Sequence, residues 1–178
     1  MLWTVVRMHQ GHVQFEEGIP ENIPCLVPPA CRPGILISDD AMAHCSNDQH
    51  ILDLFTEVSH YCDVTSLYFI QNLFPPEKIS RGISLNTQYI IAFNNPHHTL
   101  GLQTLAQQAL ARQVPFVWES FHDATSHPFG YLMLDLHPRT QKIQRVRTKI
   151  LLTEHHFPIV YVNKETHKID QLLLVLLS

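Results

Sequence analysis

The sequence predicts an α/β protein with a mostly parallel sheet flanked by helices, because short apolar segments alternate with segments of helical periodicity. Several of the apolar segments end abruptly in polar residues, as strands do at the edge of a sheet. The strand candidates are residues 35–37, 65–70, 87–93 and 130–136, with a possible edge strand at 145–149, and the helix candidates are 51–62, 100–112 and 116–125.

Length and composition indicate a single folded domain. The 178 residues are 45% hydrophobic and 16% charged, which is typical of a globular protein and not of a disordered one. The net charge is −4 and no block of lysine or arginine occurs, which argues against a free-standing nucleic-acid binder that acts by electrostatic attraction. The same composition is compatible with contact to DNA through one face of a larger assembly.

The ends of the chain predict a soluble, intracellular protein with no membrane partner. Residues 1–7 lack the basic start and the apolar segment of a secretory signal. The longest apolar run, 172–177, is far shorter than the roughly 20 residues that a membrane helix needs. The four cysteines show no tight pairing pattern, so they are expected to be reduced thiols.

Proline positions suggest the domain organisation. Residues 1–33 contain five prolines after position 19 and are expected to form an irregular, proline-rich arm without a partner inside the chain, although Val13-Gln14-Phe15 could form a short strand. The main domain is expected to cover residues 34–160, and a C-terminal tail to cover 161–178.

A short strand candidate that ends in two carboxylates is the central feature of the sequence. Residues 35–37 are Ile-Leu-Ile after Pro33-Gly34, and Asp39 and Asp40 follow. The order of strand 35–37, helix 51–62 and strand 65–70 predicts a βαβ unit. The two parallel strands of such a unit end at the same edge of the sheet. This places both aspartates near Gln71 and Asn72. The carboxylates could hold hydrated Mg²⁺ and orient a water, or they could cap the next helix.

A series of motifs over roughly 120 residues resembles a known family. It is carried by Ile35–Met42 as a Walker-B-like strand, Asp53-Leu54-Phe55-Thr56, Tyr68–Phe74 as a sensor strand, Ile83–Asn86, Tyr89–Phe93, Asp123-Ala124-Thr125 and Pro128–Leu136. In order and spacing these resemble the C-terminal half of the FtsK/HerA-type DNA-packaging ATPases of Polinton/Maverick transposons and related DNA viruses. The resemblance implies part of a RecA-like P-loop NTPase core.

The resemblance also implies roles for four residues. Asp39 would help to hold Mg²⁺ through water, Asp40 would polarise the attacking water, and Gln71 would sense the γ-phosphate of ATP. Arg81 would act as an arginine finger toward the next subunit of a homo-oligomeric ring, with double-stranded DNA as the substrate of translocation. From the residues alone, Arg81 could equally be a solvated loop cation.

Two departures from the family pattern matter for activity. The chain contains no Gly-x-x-x-x-Gly-Lys-Ser/Thr loop, whose amides and lysine hold nucleotide phosphates. It therefore resembles a truncated form that is not expected to hydrolyse ATP alone. His97-His98 follows Asn95-Pro96 where the family tends to carry Arg-Asp, which weakens the inference of DNA contacts.

Two alternatives to an ATPase remain at this stage. The chain could be a non-enzymatic remnant of a mobile element that serves as an interaction or structural module. A zinc-binding domain built from the histidines and cysteines is less favoured, because these residues do not have a spacing along the sequence that is typical of zinc ligands. The residues that suggest zinc are His44, Cys45, His60, Cys62, His97, His98, His155 and His156.

Overall fold

A computed structural model describes residues 3–7, 13–17, 32–39, 53, 59–70, 86–95, 99–110, 113–150 and 157–164. The chain divides into two compact units, Met1–Thr87 and Gln88–Ser178. The boundary between them falls inside the region 34–160 for which the sequence predicts one domain. Each unit contains its own four-stranded sheet among the described residues.

The elements of the first unit are β1 Trp3–Arg7, β2 Val13–Glu17, β3 Gly34–Asp39, α1 Ser59–Cys62 and β4 Val64–Tyr68. Its sheet has the strand order β2-β1-β3-β4. Strand β3 is parallel to β4, whereas β1 is antiparallel to both β2 and β3. Leu36 in β3 and Val64 in β4 are buried, as is Cys62 in the short helix α1 that precedes β4.

Strands β1 and β2 lie in the segment for which the sequence predicts an irregular arm without a partner. The possible short strand at Val13-Gln14-Phe15 is observed as part of β2. The expectation is wrong for residues 3–7 and for the lack of a partner, because β1 forms a ladder with both β2 and β3. Its Trp-Thr-Val-Val core is rich in aromatic and β-branched residues, which favour strands. The prolines at positions 20, 24, 28 and 29 lie outside the described residues.

The elements of the second unit are β5 Tyr89–Phe93, α2 Thr99–Ala109, α3 Val114–Ala124, β6 Tyr131–Asp135, a 3₁₀ turn Lys142–Gln144, β7 Val146–Thr148 and β8 Ile159–Val160. Its sheet has the strand order β5-β6-β7-β8 and is antiparallel throughout. Helices α2 and α3 connect β5 to β6, and α3 packs on β6 and β7. Leu132, Leu134 and Val117 are fully buried at this helix–sheet contact.

The α/β class is confirmed, but the expectation of a mostly parallel sheet is not met by the described strands. Of their six pairings, only the one between β3 and β4 is parallel. A parallel pair needs a crossover that returns the chain to its starting end, which a single helix usually supplies. Two helices in succession connect β5 to β6, and the ten residues 136–145 between β6 and β7 are too few for a crossover.

The predicted helices of the second unit are observed with shifted ends. Helix α3 begins two residues before the predicted start, because Pro115 fits the first turn of a helix, where its missing N–H is not needed. Its buried residues Val117, Ser120 and Phe121 have the i, i+3, i+4 spacing of an amphipathic helix. In the first unit, Asp53 and residues 59–62 are helical, and the rest of the predicted helix 51–62 lies outside the described residues.

Candidate functional site

Asp39 is the last residue of β3 and its side chain is exposed. The parallel register pairs Ser38 with Tyr68, and the Phe69 N–H donates to the Ser38 carbonyl oxygen over 2.9 Å. The carboxyl ends of β3 and β4 therefore meet at one edge of the sheet, as the sequence predicts. An exposed carboxylate at such an edge is accessible to a hydrated divalent cation.

The other three predicted site residues, Asp40, Gln71 and Arg81, lie outside the described residues. Their roles stay predictions. Exposed Phe69 and Ile70 continue the chain from β4 toward Gln71. Residue Trp3 of β1 pairs with Asp39 in the antiparallel ladder, so the start of β1 adjoins the same edge. Sequence reasoning missed this neighbour because it assigned no strand to residues 3–7.

The zinc hypothesis concerns residues that mostly lie outside the described part. These are His44, Cys45, His97, His98, His155 and His156. Cys62 is a buried free thiol. No group of three or more His, Cys, Asp or Glu side chains that could hold a metal ion occurs within the described ranges. The zinc alternative stays a prediction.

A cleft in the second unit is the feature that sequence reasoning did not anticipate. It lies between α3 and the segment 161–164 after β8, and its volume is about 570 Å³. The α3 residues that line the cleft have the spacing of one helix face and are Pro115, Phe116, Glu119, Ser120 and Asp123. The opposite wall, which includes Tyr161 and Lys164, is some forty residues further along the chain, so no local pattern could indicate it.

A hydrogen bond joins the two walls of this cleft. The Tyr161 hydroxyl donates to Asp123 Oδ2 over 2.6 Å, and the Tyr161 N–H donates to the Val146 carbonyl oxygen in β7. Burial raises the pKa of the Tyr161 phenol above its usual value, and the hydrogen bond to Asp123 and the charge of that carboxylate raise it further. Tyr161 therefore remains a protonated donor at neutral pH.

We expect Tyr161→Phe to lower the free energy of unfolding by about 1 kcal/mol, since the hydrogen bond to Asp123 is lost at an exposed site. Because the pKa is raised in the folded state, the stabilisation is complete below the ordinary tyrosine pKa of about 10 and is lost as the pH rises above it. Urea unfolding of both proteins at pH 8 and pH 10.5 should show a smaller difference at the higher pH. An unchanged difference would contradict this prediction.

The control is Tyr89→Phe. Tyr89 is half-exposed, and its hydroxyl makes no hydrogen bond within the described part of the chain. Its replacement should change stability by no more than about 0.5 kcal/mol.

A second polar contact lies inside the sheet of the second unit. The Asp135 side chain is only 3% exposed, and it pairs with the Arg147 guanidinium of β7 and accepts a hydrogen bond from the His137 N–H over 3.0 Å. Such a buried pair fixes the register of β6 against β7. We interpret the contact as structural, because the His137 N–H and the Arg147 guanidinium already bind the two carboxylate oxygens of Asp135.

These features define the chain as a mixed α/β protein with an exposed carboxylate at a parallel sheet edge and a separate cleft. Comparison with known proteins found no family model, no curated protein and no solved structure that matches the chain. Among the described residues, none of the helices has the length and apolar character that crossing a membrane requires.

Proposed function

We propose that the chain is the C-terminal part of a P-loop-type DNA-packaging ATPase domain, contributing the Mg²⁺-facing edge of its nucleotide site. The observation that supports this most is the parallel pairing of β3 with β4, which brings Asp39 to the edge that the segment leading to Gln71 also reaches. In this proposal Asp39 and Asp40 face Mg²⁺ and the attacking water, Gln71 faces the γ-phosphate, and Arg81 reaches toward a neighbouring subunit.

The proposal predicts a weak divalent-cation site at Asp39. Mn²⁺ accepts the same oxygen ligands as Mg²⁺ and broadens nearby NMR signals, so it can report the site directly. Backbone amide signals of residues 38, 39, 69 and 70 should broaden at millimolar Mn²⁺, and Asp39→Asn should remove most of that broadening, since one or two carboxylates supply the charge.

The matched control for this experiment is Asp63→Asn. Asp63 is exposed at the opposite, amino end of β4, and its φ of 52° is a conformation that asparagine accepts well. This variant should leave the broadening at residues 38–39 unchanged. Equal broadening in Asp39→Asn and in the unaltered protein would refute the cation site.

The chain alone is predicted not to hydrolyse ATP, because its 178 residues contain no phosphate-binding loop. A fluorescent ATP analogue should show no Mg²⁺-dependent binding, and phosphate release should not exceed that of a protein-free sample. Mg²⁺-dependent turnover that disappears in Asp40→Asn would overturn this prediction. Whether the reading frame upstream of Met1 encodes a Gly-rich Lys-Ser/Thr loop separates a partial ATPase from a remnant without one.

The antiparallel ladder between β1 and β3 favours the second candidate, a non-enzymatic interaction module. It places a strand of the N-terminal segment on the flank of β3 that faces away from β4. If the Mn²⁺ experiment fails and no upstream loop exists, this candidate replaces the first.

A further inference from the structure

The cleft of the second unit is large enough for a small molecule and is open to solvent. Its volume of about 570 Å³ lies within the range of ligand pockets. Phe116 of α3 and Val162 of the opposite segment give it apolar surface. Buried Ser120 donates to the Phe116 carbonyl oxygen over 2.8 Å and is thereby satisfied within the helix.

The cleft carries charges of both signs that are not used within the described structure. Glu119 on α3 and Lys164 on the opposite segment are both exposed, and neither forms a hydrogen bond or an ion pair with the residues that the structure describes. Asp123, in contrast, is held by the Tyr161 hydroxyl. The two free charges therefore belong to opposite walls of one cleft.

We propose that this cleft binds a small zwitterion of the α-amino-acid class with an apolar side chain. The ligand ammonium would face Glu119, its carboxylate would face Lys164, and its side chain would lie against Phe116 and Val162. A simple anion would be repelled by Glu119 and Asp123, whereas a simple cation would be attracted by these carboxylates but would leave the Lys164 ammonium without an anionic partner. A ligand with both charges on one skeleton complements the whole lining, and this inference does not rest on the proposed ATPase function.

The test is an NMR titration of the full chain with L-leucine. Saturable shifts are expected for the amide signals of residues 116–123 and 161–164, with a dissociation constant of about 1–10 mM, as suits an open cleft. N-acetyl-leucine lacks the ammonium and leucine amide lacks the carboxylate. Each should bind about two- to fivefold more weakly than leucine, because this is the contribution of an exposed ion pair to affinity.

Two variants test which residue binds the ammonium of the ligand and which binds its carboxylate. Glu119→Gln should weaken the binding of leucine and leucine amide about two- to fivefold and leave that of N-acetyl-leucine unaffected. Lys164→Met should weaken the binding of leucine and N-acetyl-leucine by a similar factor and leave that of leucine amide unaffected. Lys142→Met is the control, because Lys142 is exposed on the 3₁₀ turn and does not line the cleft. The absence of saturable shifts up to about 50 mM leucine, or equal affinity for all three compounds, would overturn the proposal.

Discussion

Arg147→Leu is expected to lower the free energy of unfolding by about 3 kcal/mol, because it leaves the Asp135 carboxylate buried without its cationic partner. The Asp135 side chain is 3% exposed and would keep only the hydrogen bond from the His137 N–H. This loss of stability lies at the lower end of the range found when one partner of a buried ion pair is removed, because the Arg147 side chain is 28% exposed. Urea unfolding followed by circular dichroism measures the change.

A second substitution tests that explanation. Adding Asp135→Asn to Arg147→Leu removes the unpaired charge and keeps an oxygen that accepts from His137, so about 2 kcal/mol of the loss should be recovered. Arg139→Leu is the control, because Arg139 is exposed and its replacement should cost no more than about 0.5 kcal/mol. A loss below about 1 kcal/mol in Arg147→Leu, or no recovery in the double variant, would contradict the role given to the pair.

Gly130→Ala is expected to destabilise the protein by about 2–3 kcal/mol. Gly130 lies in the turn between α3 and β6, where an added Cβ atom would overlap the Ala124 carbonyl oxygen and would approach the His127 carbonyl oxygen to 3.0 Å. Both contacts are with backbone atoms, so the turn itself must shift. Thermal unfolding should show a clearly lowered midpoint.

Gly101→Ala makes the same chemical change within helix α2 and serves as the control. Alanine is the better helix former, so this variant is expected to be neutral or to gain up to about 1 kcal/mol. If Gly130→Ala were as stable as the unaltered protein, the close contact between Gly130 and the C-terminal end of α3 would be refuted.

The candidate sites differ in how much of each was predictable. The position of Asp39 at a strand end follows from Ile35-Leu36-Ile37 after a Pro-Gly turn, and the parallel pairing that the βαβ order predicts is observed. The cleft was not predictable, because its walls are joined by a hydrogen bond between Asp123 and Tyr161, 38 residues apart. The roles predicted for Asp40, Gln71 and Arg81 concern residues outside the described part and stay predictions.

Strands β3 to β6 and helices α2 and α3 could be located from the sequence alone, because local apolar periodicity and turn residues specify single elements. The pairing of the strands, in contrast, is a property of the folded chain. Strand β1 joins β3 antiparallel, and β5 meets β6 antiparallel after two helices. Pairing direction depends on which distant surfaces can be buried together, and a local pattern carries no information about that choice. The same reason explains why the Asp135 and Arg147 pair became visible only in the folded chain.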